Sequence, residues 1–177
     1  MYEVELKVRA DHEPVRETLG TLGATPRRRV RQVDTYYDAP HRDFAETDEA
    51  FRLRREFQGE TETAKLTYKG PLVEAASKTR EEHEVEVSDG LEADAIAEGL
   101  GFTPAATVEK DREFFEVDDY TVTLDAVDGL GTFVEVEIEV EDDIEPAREG
   151  AADLLGRLGL DPEDQIRTSY LGLLLAD

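Results

Sequence analysis

Apolar and polar residues alternate with a period of two over much of this chain, and in run after run the polar positions carry charge. In a strand over residues 2–8, Glu3, Glu5 and Lys7 share one face while Val4, Leu6 and Val8 share the other. Residues 27–37 read as a second strand that ends in Asp-Thr-Tyr-Tyr-Asp and closes at Pro40. Residues 50–57 set Arg52 and Arg54 against Phe51 and Leu53. After a hairpin tip over Glu60–Thr63, residues 64–70 set Lys65, Thr67 and Lys69 against Leu66 and Tyr68. The second half repeats the pattern. Arg80, Glu82, Glu84 and Glu86 run in phase opposite Val85 and Val87, and Lys110 and Arg112 run in phase within 108–117. Thr123 and Asp125 oppose Val122 and Leu124. After a tight connection at Asp128-Gly129, Glu135, Glu137 and Glu139 alternate with Val134, Val136, Ile138 and Val140.

Between these runs the period changes to that of a helix. Asp11, Pro14, Val15, Leu19 and Leu22 mark one helix stopped by Gly23, and Ile96 and Leu100 mark another stopped by Gly101. Two more are expected at the C-terminal end. One carries Ala151, Leu154, Leu155 and Leu158; the other starts after Asp161-Pro162 and carries Ile166, Tyr170 and Leu174. Glu-Val-Glu recurs at residues 3, 84 and 135, and the helices that follow stop at Thr-Leu-Gly, Gly-Leu-Gly and Arg-Leu-Gly. This strand–helix unit recurs at unequal spacing, which excludes a solenoid. No linker interrupts residues 1–177, so a single domain is expected. Pro71 to Ser77 reads as a polar loop, and Lys78 beside it as solvated.

About eight strands with one charged and one apolar face, and four amphipathic helices, make an α+β arrangement whose apolar strand faces are the surface for the helices. If the sheet closes into an eight-stranded antiparallel barrel, the helices cover its outside and the charges line its lumen. That inverts a small barrel filled with aliphatic side chains. Buried charges cost several kcal/mol each unless paired or occupied, so such a lumen holds water, ion pairs, or ions and a ligand. An open sheet with a solvated, salt-bridged face is the plainer alternative.

Charge and composition narrow the ligand. The chain carries 20 basic and 44 acidic residues, a net charge of -24, which disfavours nucleic acid and anionic membranes as partners. There is no cysteine, hence no disulfide or thiolate metal site, and no apolar run long enough for a bilayer. A cytoplasmic protein without a signal peptide is expected. Sparse lysine with abundant carboxylate suits a halophile, an archaeal one among them. Yet four of the five lysines, Lys7, Lys65, Lys69 and Lys110, fall at in-phase positions with Arg52, Arg54, Arg80 and Arg112. Such a set suits a polyanion with several phosphate oxygens. Glu3, Glu5, Glu82, Glu84, Asp125, Glu135 and Glu137 would repel it unless a hard divalent cation, Mg²⁺ or Mn²⁺, stood between. A small-molecule triphosphate with metal is the simplest filling. His12, His41 and His83 lack ligand spacing and read as surface residues.

These blocks, taken in order, resemble the CYTH family of triphosphate tunnel metalloenzymes. Glu3-x-Glu5-x-Lys7 is similar to the family's opening signature. Arg52-x-Arg54, Lys65, Lys69, Arg80-x-Glu82-x-Glu84, Lys110-x-Arg112, Asp125 and Glu135-x-Glu137 match in sequence, with Thr168-Ser169-Tyr170 behind them. Gln32-x-Asp34-Thr35-Tyr36-Tyr37-Asp38 and Leu66-Thr67-Tyr68-Lys69-Gly70-Pro71 look most like the class IV adenylyl cyclase branch. The resemblance implies an eight-stranded tunnel in which Glu3, Glu5, Asp125, Glu135 and Glu137 hold metal. Lys7, Arg52, Arg54, Lys65, Lys69, Arg80, Lys110 and Arg112 would grip the triphosphate, with Glu82 and Glu84 behind them. Glu3, Glu5, Lys7 and Arg112 would carry the catalytic step. It implies cyclisation of ATP to cyclic AMP and pyrophosphate. Hydrolysis of tripolyphosphate, thiamine triphosphate or a nucleoside triphosphate is the alternative reaction, and binding without turnover, as in a sensor, the non-enzymatic one. A homodimer is open to the chain.

Overall fold

A computed structural model describes residues 1–176. Eight strands close into an antiparallel barrel: β1 (Tyr2–Arg9), β2 (Thr25–Asp38), β3 (Ala50–Gln58), β4 (Thr61–Leu72), β5 (Lys78–Val87), β6 (Thr103–Val117), β7 (Tyr120–Val127) and β8 (Gly131–Val140). The order around the barrel is β1-β5-β4-β3-β2-β6-β7-β8. Closure removes every free sheet edge. Five α-helices are present among the described residues: α1 (His12–Thr21), α2 (Phe44–Thr47), α3 (Gly90–Gly99), α4 (Ile144–Arg157) and α5 (Tyr170–Leu175). The four-residue α2 is too short for a periodicity to announce it.

The apolar strand faces point outward. Leu6, Val8, Val122, Leu124, Val134 and Val136 pack against Val15 and Leu19 of α1 and Leu154, Leu155 and Leu158 of α4. On the other side Tyr37, Leu53 and Ala64 pack under Ala93 and Ala97 of α3. Three helices end on the Leu-Gly stops read from the sequence. Gly23, Gly101 and Gly159 sit at φ of 74°, 96° and 81°, where an L side chain is strained. Ala24, Phe102 and Leu160 then return N–H donors to the carbonyls of Leu19, Ala97 and Leu155, the bond that closes a Schellman motif.

The C-terminal segment departs from the expected helix. After a 3₁₀ turn at Pro162–Asp164 the chain runs without helix to Ser169, and α5 begins only at Tyr170. Its donors go to tertiary partners instead. The Ile166 N–H reaches the Lys7 carbonyl at 2.6 Å. Gln165 Nε2 donates to the Ala76 carbonyl at 2.8 Å, and Arg167 Nη2 to that of Glu74 at 3.0 Å. The segment is thereby drawn across one end of the barrel.

Outside, β2 and β6 carry a ladder of ion pairs: Arg27–Glu116 at 2.5 Å, Arg29–Glu113 at 3.0 Å and Arg31–Asp111 at 3.2 Å. Each has a side chain half or more exposed. Pairs of that kind contribute about 0–1 kcal/mol apiece. Self-repulsion from a net charge of -24 acts over the whole surface and should outweigh them at low salt. Raising KCl from about 0.1 M toward 1 M shortens the Debye length from roughly 10 Å to 3 Å. The melting temperature should rise across that range, and a flat or falling curve would refute the inference.

Candidate active site

The lumen holds a cavity of about 500 Å³, lined largely by side chains of the charged strand faces. One wall is anionic. Glu5 on β1 stands opposite Glu137 on β8 in the strand register, with Glu3 two residues along. Glu3, Glu5 and Glu137 bring carboxylate oxygens within 4.8 Å of one another. Burial and the neighbouring Glu3 push the Glu137 carboxyl well above the usual range. Burial pushes Glu5 up as well, but Lys78, Lys69 and Lys7 outweigh it, and its pKa lies below the usual value. Three converging carboxylates, one resisting ionisation, fit a hard divalent cation whose charge would offset the repulsion.

Two further carboxylates expected to hold metal, Asp125 and Glu135, are bonded to protein groups. Arg112 forks onto Asp125 with two bonds of 2.6 Å and reaches Glu135 at 3.0 Å. The Tyr170 hydroxyl also donates to Asp125, at 2.6 Å. Glu135 shares the lumen face with Glu137, yet it is Arg112 that faces it. Arg112 thus ties Glu135 to Asp125, while Glu135 stays near enough to the trio to feel the charge of Glu5.

The cations line the remaining walls. Lys69 Nζ lies 3.0 Å from Glu3 and 3.3 Å from Glu82, and Arg52 and Lys65 stand 3.9 Å from Glu84. Thr67 donates to Glu84 at 2.8 Å. The Arg52 Nε is buried with no hydrogen-bond partner, a donor left for something in the lumen. Arg80 sits at the mouth, where it binds the carbonyls of Asp48 at 2.9 Å and Gly70 at 2.8 Å. Lys7 and Lys110 are both fully buried. Burial lowers each to about 7; Lys78 adds to this at Lys7, while Arg54 and Arg112 add to it at Lys110.

Several inward-facing residues lie outside the expected set, Asp34, Lys78 and Tyr170 among them. Asp34 on β2 has no exposed surface; Arg54 forks onto it at 2.7 and 2.8 Å, and Lys110 reaches it at 3.2 Å. Its phase with Gln32 was the signal available, since β2 carries arginines on both faces and blurs the alternation. Lys78 is not solvated: it opens β5, and its Nζ lies 3.1 Å from Glu5. The scarcity of lysine pointed to it. Tyr170 enters from α5; the sequence showed its helical spacing and its place in Thr168-Ser169-Tyr170, but not that it reaches the lumen. Of the tyrosine pair, Tyr36 lines the lumen while Tyr37 turns outward and donates to Asp94 at 2.5 Å. The charged phase is also not charged throughout. Val108, Val127 and Phe133 share it, and with Tyr170 they form an apolar end to the tunnel.

The CYTH domain model matches residues 1–170. The chain is 38% identical over 176 residues to a Methanocaldococcus jannaschii protein named "Putative adenylate cyclase", spanning 98% of this chain and 98% of that one. It is 25% identical over 142 residues to adenylate cyclase CyaB of Aeromonas hydrophila, spanning 79% of this chain and 70% of the relative. Among solved structures, the PH1819 protein of Pyrococcus horikoshii OT3 superimposes with a TM-score of 0.90 at 40% identity, over 98% of both chains.

Proposed function

The chain belongs to the CYTH domain family, and from that membership we propose a divalent-metal-dependent enzyme that converts ATP to cyclic AMP and pyrophosphate. The observation that carries the reading is one cavity with a carboxylate trio on one wall and a set of lysines and arginines on the others. Similarity to proteins named as adenylate cyclases supports ATP as the triphosphate. A cation held by Glu3, Glu5 and Glu137, Mg²⁺ or Mn²⁺, would supply charge neutralisation at phosphate oxygens.

The chain's own groups account for binding and orientation. Arg52, Lys65 and Lys69 face the lumen from β3 and β4 and would bind the oxygens that become pyrophosphate. Arg54, Lys110 and Arg112 line the adjoining walls. Attack by the ribose 3′-oxygen on the α-phosphorus forms one P–O bond as that to pyrophosphate breaks, and the hydroxyl proton is released. In such an in-line displacement the fixed cations stabilise charge on the departing oxygens. Asp34 and Asp125 hold Arg54 and Arg112 by two bonds each, so those forks are aimed before the ligand arrives.

Hydrolysis of a triphosphate is the second reading, because the charged groups of the lumen suit phosphate and metal equally in either reaction. Incubation with ATP and with tripolyphosphate, in Mg²⁺ and in Mn²⁺ at molar salt, separates the two. Cyclic AMP and pyrophosphate are expected. Orthophosphate alone would make the chain a triphosphatase, and binding without turnover would make it a sensor.

A further inference from the structure

Tyr170, the first residue of α5, is not needed to bind a phosphate, yet three buried charged residues of the inward strand faces, Lys7, Lys110 and Asp125, rest on it. Its hydroxyl donates to Asp125 Oδ2 at 2.6 Å, the oxygen that Arg112 Nη2 also holds. Its ring lies beneath two ammonium groups, with Lys7 Nζ 4.1 Å and Lys110 Nζ 5.2 Å from the centroid. Lys7 Nζ donates in addition to the carbonyl of Thr168 at 2.7 Å. Phe133 meets the ring edge-on at 5.0 Å and fixes its plane.

The backbone makes the placement reproducible. The Ile166 N–H binds the carbonyl of Lys7 itself, so the segment grips that residue by main chain and side chain together. Ser169 caps α5 by accepting from the Gly172 N–H at 3.0 Å, which sets the helix start and hence the direction of Tyr170. Closing an apolar end of a tunnel requires bulk alone, and leucine would serve, as Leu171, Leu173 and Leu174 do around it. A π face shared by two cations and a buried hydroxyl on a carboxylate are excess to that need.

We propose that Tyr170 is a positioning residue: it aims Lys7 and Lys110, and through Asp125 also Arg112, at the ligand in the lumen. The proposal rests on the triphosphate reading for the identity of that ligand. Tyr170→Leu removes ring and hydroxyl, and Tyr170→Phe restores the ring alone. Tripolyphosphate binding by calorimetry with and without Mn²⁺, and acetylation of Lys7 in the ligand-free protein read by peptide mass spectrometry, give two independent measurements. Tyr170→Leu should bind tripolyphosphate roughly tenfold more weakly. Tyr170→Phe should return to within about threefold of the wild type, since the cation–π contact survives. Lys7 acetylation should rise in the leucine variant and stay low in the phenylalanine one. If leucine prevents folding, Tyr170→Met offers similar bulk on a flexible chain and takes its place. Unchanged affinity in a folded leucine or methionine variant overturns the proposal and leaves Tyr170 a plug. If the wild type binds no tripolyphosphate, the triphosphate reading fails, and acetylation alone decides: a rise sustains the positioning of Lys7, and no rise overturns it.

Discussion

Glu5→Gln should abolish turnover at ordinary metal concentrations, with part of the rate recovered in excess Mn²⁺. The exchange keeps size and shape but removes the charge of a carboxylate that is 4% exposed and central to the trio with Glu3 and Glu137. Changing a residue behind a metal ligand already costs about 10–100-fold, so loss of a charged ligand should cost at least about a hundredfold. The fold should survive. Glu5 loses its contact with Lys78, but Glu137 and Glu135 are relieved of a repelling neighbour. That balance also predicts a weaker upward shift of Glu137 in the variant. Initial rates across a Mn²⁺ titration, beside a melting curve, provide the check. Turnover equal to the wild type would remove Glu5 from the metal site.

Much of this site was legible because a strand exposes a period of two, and because this chain spends its few lysines inside. Glu3, Glu5 and Lys7 on β1 and Arg52 and Arg54 on β3 follow from alternation alone. Closure fits apolar faces that helices must cover and charged faces that they cannot, but an open sheet fitted the same pattern, and the β1–β5 and β1–β8 pairings decide between them. Pairing within the lumen was not legible, because it depends on register across strands far apart in sequence. Arg112 faces Asp125 in the β6–β7 register and forks onto it, a pairing that no single strand's alternation shows. The start of β5 was hidden for another reason: the small polar run before it has the composition of a loop and conceals Lys78 at its end. The helix expected to carry Ile166 failed because the Ile166 N–H found a fixed partner on β1, while the side chains of Gln165 and Arg167 bind carbonyls of the 73–77 loop. Periodicity cannot register that competition.

Arg54→Ala should destabilise the ligand-free protein, and the cause is Asp34. As a sequence, Arg54 is one cation in a crowded like-charge set, whose loss ought to cost the fold nothing. In the structure it supplies two of the three bonds to a carboxylate with no exposed surface. Burial pushes Asp34 toward protonation, but Lys110 and Arg54 prevail and hold it well below the ordinary carboxylate range. Removing one partner of a buried pair costs roughly 3–5 kcal/mol, since the remaining charge is stranded. That is a large part of a total stability of about 5–15 kcal/mol. The sign of the pH dependence follows. A carboxylate held below its unfolded pKa stabilises at neutral pH, and the contribution is lost as pH falls through the folded value. The gap between wild type and variant should therefore be widest at neutral pH and narrow in acid. Urea melts at both pH values measure it. Adding Asp34→Asn to Arg54→Ala should recover much of the loss, because the stranded charge goes with it. Triphosphate affinity should stay weakened in the double variant, which separates the guanidinium's part in binding from its part in the fold. If Arg54→Ala melted like the wild type at neutral pH, the Asp34 pair would contribute nothing to the apo protein, and the lumen would have to be far wetter than its buried side chains imply.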